Sequence, residues 1–203
     1  MNTNQVHNKL PLRYYHNADV VFLAKDLLGK QICTNFNNKL TSGIIVETEA
    51  YRSIDDKASH AYLQRRTKKN QAMYLDGGVA YVYLCYGIHA LFNIVTNRED
   101  VADAILVRAI EPIDGVNIMK QRSSKDNILQ LASGPGKLSV SLGINISSNK
   151  EQLTADTIWI QNNQHIKDYQ IVAKKRVGIH YAEEDANFLW RFYIKGNKYI
   201  SKK

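Results

Sequence analysis

Gly-Ile-Ile-Val-Glu-Thr-Glu-Ala-Tyr, residues 43–51, is the stretch from which the fold is read. A period of two runs through it, so Ile44, Val46 and Thr48 are expected on one face of a strand and Ile45, Glu47, Glu49 and Tyr51 on the other. One face then belongs to a core and the other carries acid. Glu47 and Glu49 would have Cα atoms about 6.5 to 7 Å apart on one side. That spacing fits an exposed face whose acids pair with Arg or Lys, and it also fits a site built on a carboxylate; spacing does not choose between them.

About thirty residues on, Tyr-Val-Tyr-Leu-Cys-Tyr-Gly (Tyr81–Gly87) places three tyrosines on an expected hairpin. Tyr81 and Tyr83 share a face, whereas Tyr86 points to the other side or sits at the tip. Aromatic rings stack on nucleobases, and a side chain at a hairpin tip can wedge between base steps. Ordinary packing of tyrosines in a strand is the alternative.

Working outward, Asn17 is expected to cap a helix through Leu28, with Gly29 as its stop. The segment from Arg52 to Asn70 reads as a long connection holding Asp55, Asp56, His60 and the basic run Arg65-Arg66-Thr67-Lys68-Lys69. Asp76-Gly77-Gly78 signals a turn, Val79–Tyr86 a strand, Gly87 a tight turn and Ala90–Thr96 the return strand. Ala104–Ala109 reads as a buried strand ended by Arg108, a charge that either faces an acid or bridges an ordinary surface carboxylate. Pro112–Arg122 reads as a helix with proline in its first turn, and Gly134-Pro135-Gly136-Lys137 opens another helix through Leu142. This last is not a phosphate loop, since Leu131 and Leu138 stand where a Walker motif needs Gly and Ser or Thr. Ile158–Ile160, Ile171–Ala173 and Leu189–Ile194 read as later strands, and Lys174-Lys175-Arg176 as solvated charge. Strands and hairpins without regular strand–helix alternation predict an α+β fold: one domain over residues 1–203, with a mainly antiparallel curved sheet, flanking helices, a protruding hairpin and a flexible segment 1–10.

The 203 residues, 44% hydrophobic and 23% charged, suffice for a substantial core. A formal charge of +8 points to an anionic partner, nucleic acid before membrane surface. No apolar run approaches the roughly 20 residues of a spanning helix, and Met1–Leu10 lacks a signal-peptide core, so a soluble cytoplasmic protein is expected. Cys33 and Cys85 form no C-x-x-C pair and are expected as reduced thiols. The six histidines show no ligand spacing, so no metal and no cofactor is expected. His60 by itself reads more readily as a hydrogen-bonded loop residue than as a catalyst.

Taken in order, Leu27-Leu28-Gly29-Lys30, Ile45–Tyr51 followed by Asp56, Ala58, Ser59 and His60, then Tyr81–Gly87, Asn93, Val107-Arg108-Ala109 with Glu111-Pro112, and Gly134–Leu138 resemble one family. It is the alkyladenine type of 3-methyladenine DNA glycosylase, and the resemblance runs from Ala18 to Ser201. It implies Glu49 as general base, with Arg108 and the backbone of Val177 holding the attacking water and Glu47 in support. It also implies Tyr51, Tyr83 and His60 around an extruded base, Asn93 at the pocket floor excluding the amine of guanine, and Tyr86 filling the gap left in the duplex. Arg65, Arg66, Lys68 and Lys69 would meet the DNA backbone.

These implied roles suit the chemistry. A base inside a duplex must be flipped out at a cost of a few kcal/mol before its glycosidic bond reaches a pocket. Its departure leaves an oxocarbenium-like sugar that an ionised carboxylate stabilises while taking a proton from water. The resemblance therefore implies double-stranded DNA with damaged purines as partner, a monomer, and no membrane. The chain departs from the family pattern at Ser53, where glycine is usual, at Lys69, where arginine is usual, and at Tyr74, where phenylalanine is usual. Lys69 can hold a phosphate but not bidentately, which implies looser DNA positioning there. A noncatalytic nucleic-acid-binding module and a bifunctional glycosylase and lyase using a lysine amine are the rival readings; the first would bind without making abasic product.

Overall fold

The computed structural model describes residues 8–202. Much of the segment expected to be flexible, residues 1–7, lies outside the described residues. Lys9 and Leu10 are held rather than loose: the Leu10 N–H donates to Ile160 O at 2.8 Å, and Leu10 is buried.

The fold is α+β, built on an eight-stranded antiparallel sheet. In chain order the strands are β1 (Gln31–Phe36), β2 (Lys39–Tyr51), β3 (Ala80–Cys85), β4 (His89–Thr96), β5 (Asp103–Pro112), β6 (Ile158–Gln161), β7 (Ile171–Lys174) and β8 (Arg191–Ile194). The spatial order is β3-β4-β5-β2-β1-β6, with β8 added beside β2 and β7 beside β8. β2, 13 residues long, is the spine. β5 pairs with it along most of its length, while its other edge is shared by β1 over Lys39–Ile44 and by β8 over Glu47–Glu49.

β1 and the first part of β2 form a hairpin that periodicity did not reveal. Its turn is Asn37-Asn38, both at positive φ (54° and 59°), the two-residue turn whose twist matches its strands. At the other end of the sheet β3 and β4 form the second hairpin. Its tip carries Tyr86 and Gly87 at positive φ (51° and 73°), with the Ile88 N–H returning to Cys85 O at 3.2 Å.

The helices, in chain order α1 (Leu12–Tyr15), α2 (Val20–Asp26), α3 (Val116–Ser123), α4 (Ile128–Leu131) and α5 (Pro135–Leu142), cover one face. α2 (Val20–Asp26) buries Val20, Leu23 and Ala24 in the main core, with Ile45 and Ala50 of β2, Ile105, Val107 and Ile110 of β5, and Phe92 of β4. The expected cap was Asn17, but Asp19 performs it: its carboxylate accepts the N–H groups of Val21 and Phe22 at 3.0 and 2.9 Å. Asn17 instead accepts the N–H of Asp19, and the helix ends at Asp26, short of Leu28. α5 (Pro135–Leu142) follows the sequence expectation, with proline in its first turn.

Two expectations are corrected by backbone geometry. Pro112 does not start a helix; it ends β5, and the helix after it, α3 (Val116–Ser123), begins beyond Gly115. Gly115 sits at φ 68°, and a Cβ there would lie 2.2 Å from Leu40 O. Thr48 also does not share a face with Ile44 and Val46. The β2–β5 register carries two irregularities, an extra residue at Val46 on β2 and another at Arg108 on β5, which cancel. The first reverses the alternation of β2: Ile45, Thr48 and Ala50 face α2, where Thr48 Oγ1 donates to Ala24 O at 2.7 Å. Ile44 and Val46 pack on the other side with Ala109, Tyr199 and Ile200, beside Glu47 and Glu49.

Gly115→Ala forces a side chain into a left-handed conformation against a backbone oxygen. It should cost about 1 to 3 kcal/mol in urea unfolding, and a loss below about 0.5 kcal/mol, the scale of an ordinary surface change, would contradict this account.

Candidate active site

The second irregularity has the same effect on β5: Val107 and Ile105 face the helices, while Arg108 and Ala109 lie on the side of the acids. Glu47 and Glu49 therefore share a face, as their spacing predicts, and Arg108 lies against both. Its Nε donates to Glu47 Oε1 at 3.0 Å, and its Nη1 lies 3.2 Å from Glu49 Oε2. Both carboxylates are completely buried. Burial acts against the Arg108 charge, but Glu49 and then Glu47 outweigh it and hold the guanidinium pKa above its ordinary value.

Glu49 takes two hydrogen bonds and one ion pair. Oε1 accepts the backbone N–H of Val177 at 2.8 Å; Oε2 accepts the Tyr51 hydroxyl at 2.8 Å and faces Arg108. Each carboxylate oxygen offers about two acceptor positions, so Oε1, with the Val177 N–H as its one protein donor, can take a further donor. Burial, reinforced by the adjacent Glu49, raises the Tyr51 hydroxyl well above its ordinary pKa, so it stays protonated and donates.

Register sets the rest of the site. Tyr81 of β3 is opposite Asn93 of β4, Asn93 opposite Leu106 of β5, and Leu106 opposite Glu49 of β2, so the four stand in one row across the sheet. Asn93 is buried and donates from Nδ2 to Tyr81 O and Leu91 O at 3.2 and 3.3 Å. Tyr81 and Tyr83 stack with centroids 5.5 Å apart. His60 sits edge-on to Tyr83 at 4.6 Å, and its Nδ1 meets the Tyr81 hydroxyl at 2.9 Å. Desolvation of the His60 ring by its aromatic neighbours lowers its pKa below the ordinary 6.5 although the residue keeps an exposed edge, so the neutral imidazole predominates at pH 7. Asn70 braces the loop from below, donating to His60 O and Arg65 O at 2.9 and 2.8 Å.

Tyr86 stands apart, 91% exposed at the hairpin tip, with Ile88 at 73% and Leu84 at 46% beside it. Of the basic run, Arg65, Arg66, Lys68 and Lys69 are all exposed. Arg66 is engaged, pairing with Asp100 at 2.6 Å and lying over the Tyr74 ring at 4.0 Å. The unusual residues fit. Ser53 donates its N–H and hydroxyl to Asp103 Oδ1 at 2.8 and 3.1 Å, and the Tyr74 hydroxyl donates to Arg65 O at 3.0 Å. Cys33 and Cys85 are free thiols. Among the described residues no group of three or more His, Cys, Asp or Glu side chains converges as a metal site, and no helix is long and apolar enough to cross a membrane.

One sequence expectation is overturned here. Arg176 is not solvated charge: its side chain is fully buried and pairs with equally buried Asp56, Nη2 to Oδ1 at 2.7 Å and Nη1 to Oδ2 at 2.5 Å. Nη1 also donates to Ala50 O at 2.8 Å, and the guanidinium lies 4.8 Å from the Tyr51 ring and 5.2 Å from that of Trp190. It thus backs Tyr51 and, one residue before Val177, fixes the backbone that donates to Glu49. A charge after Lys174-Lys175 carries no local sign of burial; only the long-range partner Asp56 gives it one. Tyr81 was likewise legible as a strand residue but not as the partner of His60.

Residues 13–198 match the family described as Methylpurine-DNA glycosylase (MPG). Among curated relatives, the "Putative 3-methyladenine DNA glycosylase" of Clostridium perfringens (strain SM101 / Type A) is 42% identical over 201 residues, covering 94% of this chain and 98% of that protein. The protein of the same name in Chlamydia felis (strain Fe/C-56) is 46% identical over 191 residues, covering 93% and 97%.

Asp56→Asn should leave the buried Arg176 charge unpaired and cost about 3 to 5 kcal/mol in denaturant unfolding; a loss under about 1 kcal/mol, typical of exposed pairs, would remove the pair from its structural role. With the acid, its three partners and the aromatic cluster set on one sheet face, and with nearly the whole chain matched, this protein belongs to the methylpurine-DNA glycosylase family.

Proposed function

We propose that this protein flips alkylated purines, 3-methyladenine and 7-methylguanine among them, out of double-stranded DNA and hydrolyses their glycosidic bond, initiating base-excision repair; hypoxanthine and ethenoadenine are secondary candidates, since a neutral base must gain a proton before it leaves. The observation that carries the reading is Glu49, buried, held by Arg108, Val177 N–H and Tyr51, with Val177 N–H the one protein donor on Oε1, which leaves that oxygen a second acceptor position for a water. A water donating to that position is oriented by the carboxylate and deprotonated as it attacks the sugar carbon. The carboxylate also stabilises the positive charge that develops as the base leaves.

A purine made cationic by alkylation departs without a proton, so the site needs no acid for it. Tyr51 and Tyr83 offer aromatic faces to the extruded base. His60, neutral and tied through Nδ1 to Tyr81, leaves Nε2 to read a base edge. Asn93, with both amide hydrogens committed to backbone carbonyls, is a rigid floor against the exocyclic amine of guanine. Tyr86 fills the vacated position in the duplex, and Arg65, Lys68 and Lys69 meet phosphates, with Arg66 joining them if it leaves Asp100. The enzyme so proposed is a monomer, and a DNA substrate suits a cytoplasmic enzyme with access to the chromosome.

Glu49→Gln should bind lesion duplex as the parent does yet lose single-turnover cleavage by about 100-fold or more; retained turnover would remove Glu49 from the reaction. Tyr86→Ser should lower the fraction of flipped base reported by a fluorescent lesion about tenfold, equivalent to about 1.4 kcal/mol of lost stacking. An unchanged fraction would count against the wedge.

A further inference from the structure

The second acid of the strand pair, Glu47, touches none of the pocket aromatics. Its Oε1 accepts from Arg108 Nε at 3.0 Å, Arg191 Nη1 at 2.9 Å and Ser201 Oγ at 3.0 Å, and its Oε2 accepts the Ser201 N–H at 2.5 Å. Ser201 in turn accepts from Arg108 Nη2 at 3.1 Å. Arg191 extends the same tie, donating to Lys175 O at 3.0 Å and Lys202 O at 2.8 Å.

Two of the three nitrogens of the Arg108 guanidinium are therefore committed away from the pocket, and only Nη1 faces Glu49. We infer that Glu47, clamped by Ser201 and Arg191, is a positioning residue for the hydrolysis: it fixes the rotation of Arg108 so that one N–H edge, and no more, reaches Glu49. This rests on the reading of Glu49 as the base.

The chemistry argues for orientation rather than cohesion. Two acids and two arginines form a neutral cluster, and such buried clusters contribute little net stability over apolar side chains of the same volume. What the cluster does supply is direction. An arginine left to itself meets a carboxylate with a two-pronged fork. Without Glu47 to hold Ser201 and Nε, Arg108 is free to turn Nη2 as well as Nη1 onto Glu49, filling the acceptor position that water needs. The Tyr199–Lys202 segment thereby becomes part of the catalytic centre without touching substrate. Its packing, with Tyr199 and Ile200 against Ile44, Val46 and Ala109, delivers Ser201 to Glu47.

The test is a double-mutant cycle in single-turnover cleavage of a duplex carrying 7-methylguanine, with lesion-DNA affinity and thermal midpoint measured on every variant. Glu47→Gln should lower the cleavage rate about 10- to 100-fold with affinity within about threefold of the parent, since only the reacting end is disturbed. In an Arg108→Lys background, where there is no fork to steer, the same substitution should cost less than about threefold. A folded Glu47→Gln with a parental rate, or equal losses in both backgrounds, overturns the inference. If Glu47→Gln does not fold, Ser201→Ala in the two backgrounds decides instead: several-fold loss confined to the Arg108 background supports it, and no loss or equal losses overturn it. Glu49→Gln serves as control. Turnover retained there defeats the reading of Glu49, whereas an inactive Glu49→Gln beside a fully active Glu47→Gln defeats only the role of Glu47.

Discussion

One guanidinium, that of Arg108, shared between two buried carboxylates two residues apart on β2, is the interaction on which this site depends. Two acids completely out of water on one strand face repel each other, and either alone would carry a desolvation penalty of several kcal/mol. Arg108 meets both, and Arg191 supplies the second positive charge. The sheet makes room for this by placing one extra residue on each of the two strands, at Val46 and at Arg108. The register before and after is the same, so the strands stay paired while the side chains between them are re-aimed.

From that centre the organisation runs in two directions. Along the row of the sheet, Leu106, Asn93 and Tyr81 lead from Glu49 to the aromatic cluster at the far hairpin, so acid and aromatics are set by strand register rather than by loops. Above the sheet, the Asp56–Arg176 pair joins the connection after β2 to the segment after β7 and holds Tyr51 and Val177 against Glu49. A rigid frame of this kind suits a reaction whose catalysis is preorganised charge around a departing base. The exposed hairpin tip and basic loop are the parts free to meet a large partner.

The sequence was most legible where chemistry is local. Alternation in residues 43–51 put Glu47 and Glu49 on one face, the Tyr81–Thr96 stretch read as a hairpin with Tyr86 at its end, and Pro135 marked the start of α5. It was least legible where a distant partner sets the outcome. The extra residue at Val46 reverses which residues accompany the acids, and no residue in the segment announces it, because a bulge is decided by the strand alongside. Pro112 suits a helix start and a strand end alike; Gly115, the one residue able to take φ 68° beside Leu40, marks the true boundary. Asn17 and Asp19 are both good caps, and the backbone direction before α2 selects Asp19.

By itself, then, the sequence determined an α+β chain with a carboxylate-bearing strand, a tyrosine-rich hairpin and a net positive charge, because periodicity, turn chemistry and charge are properties of neighbouring residues. Family resemblance singled out Glu49 from Glu47. Only the tertiary structure decided how the two acids differ in surroundings. Glu47 is enclosed by Arg108, Arg191 and Ser201, while Glu49 accepts from Tyr51 and Val177 and meets Arg108 through Nη1 alone. Those partners lie from 2 to 154 residues away along the chain, and the fold alone brings them within hydrogen-bonding distance.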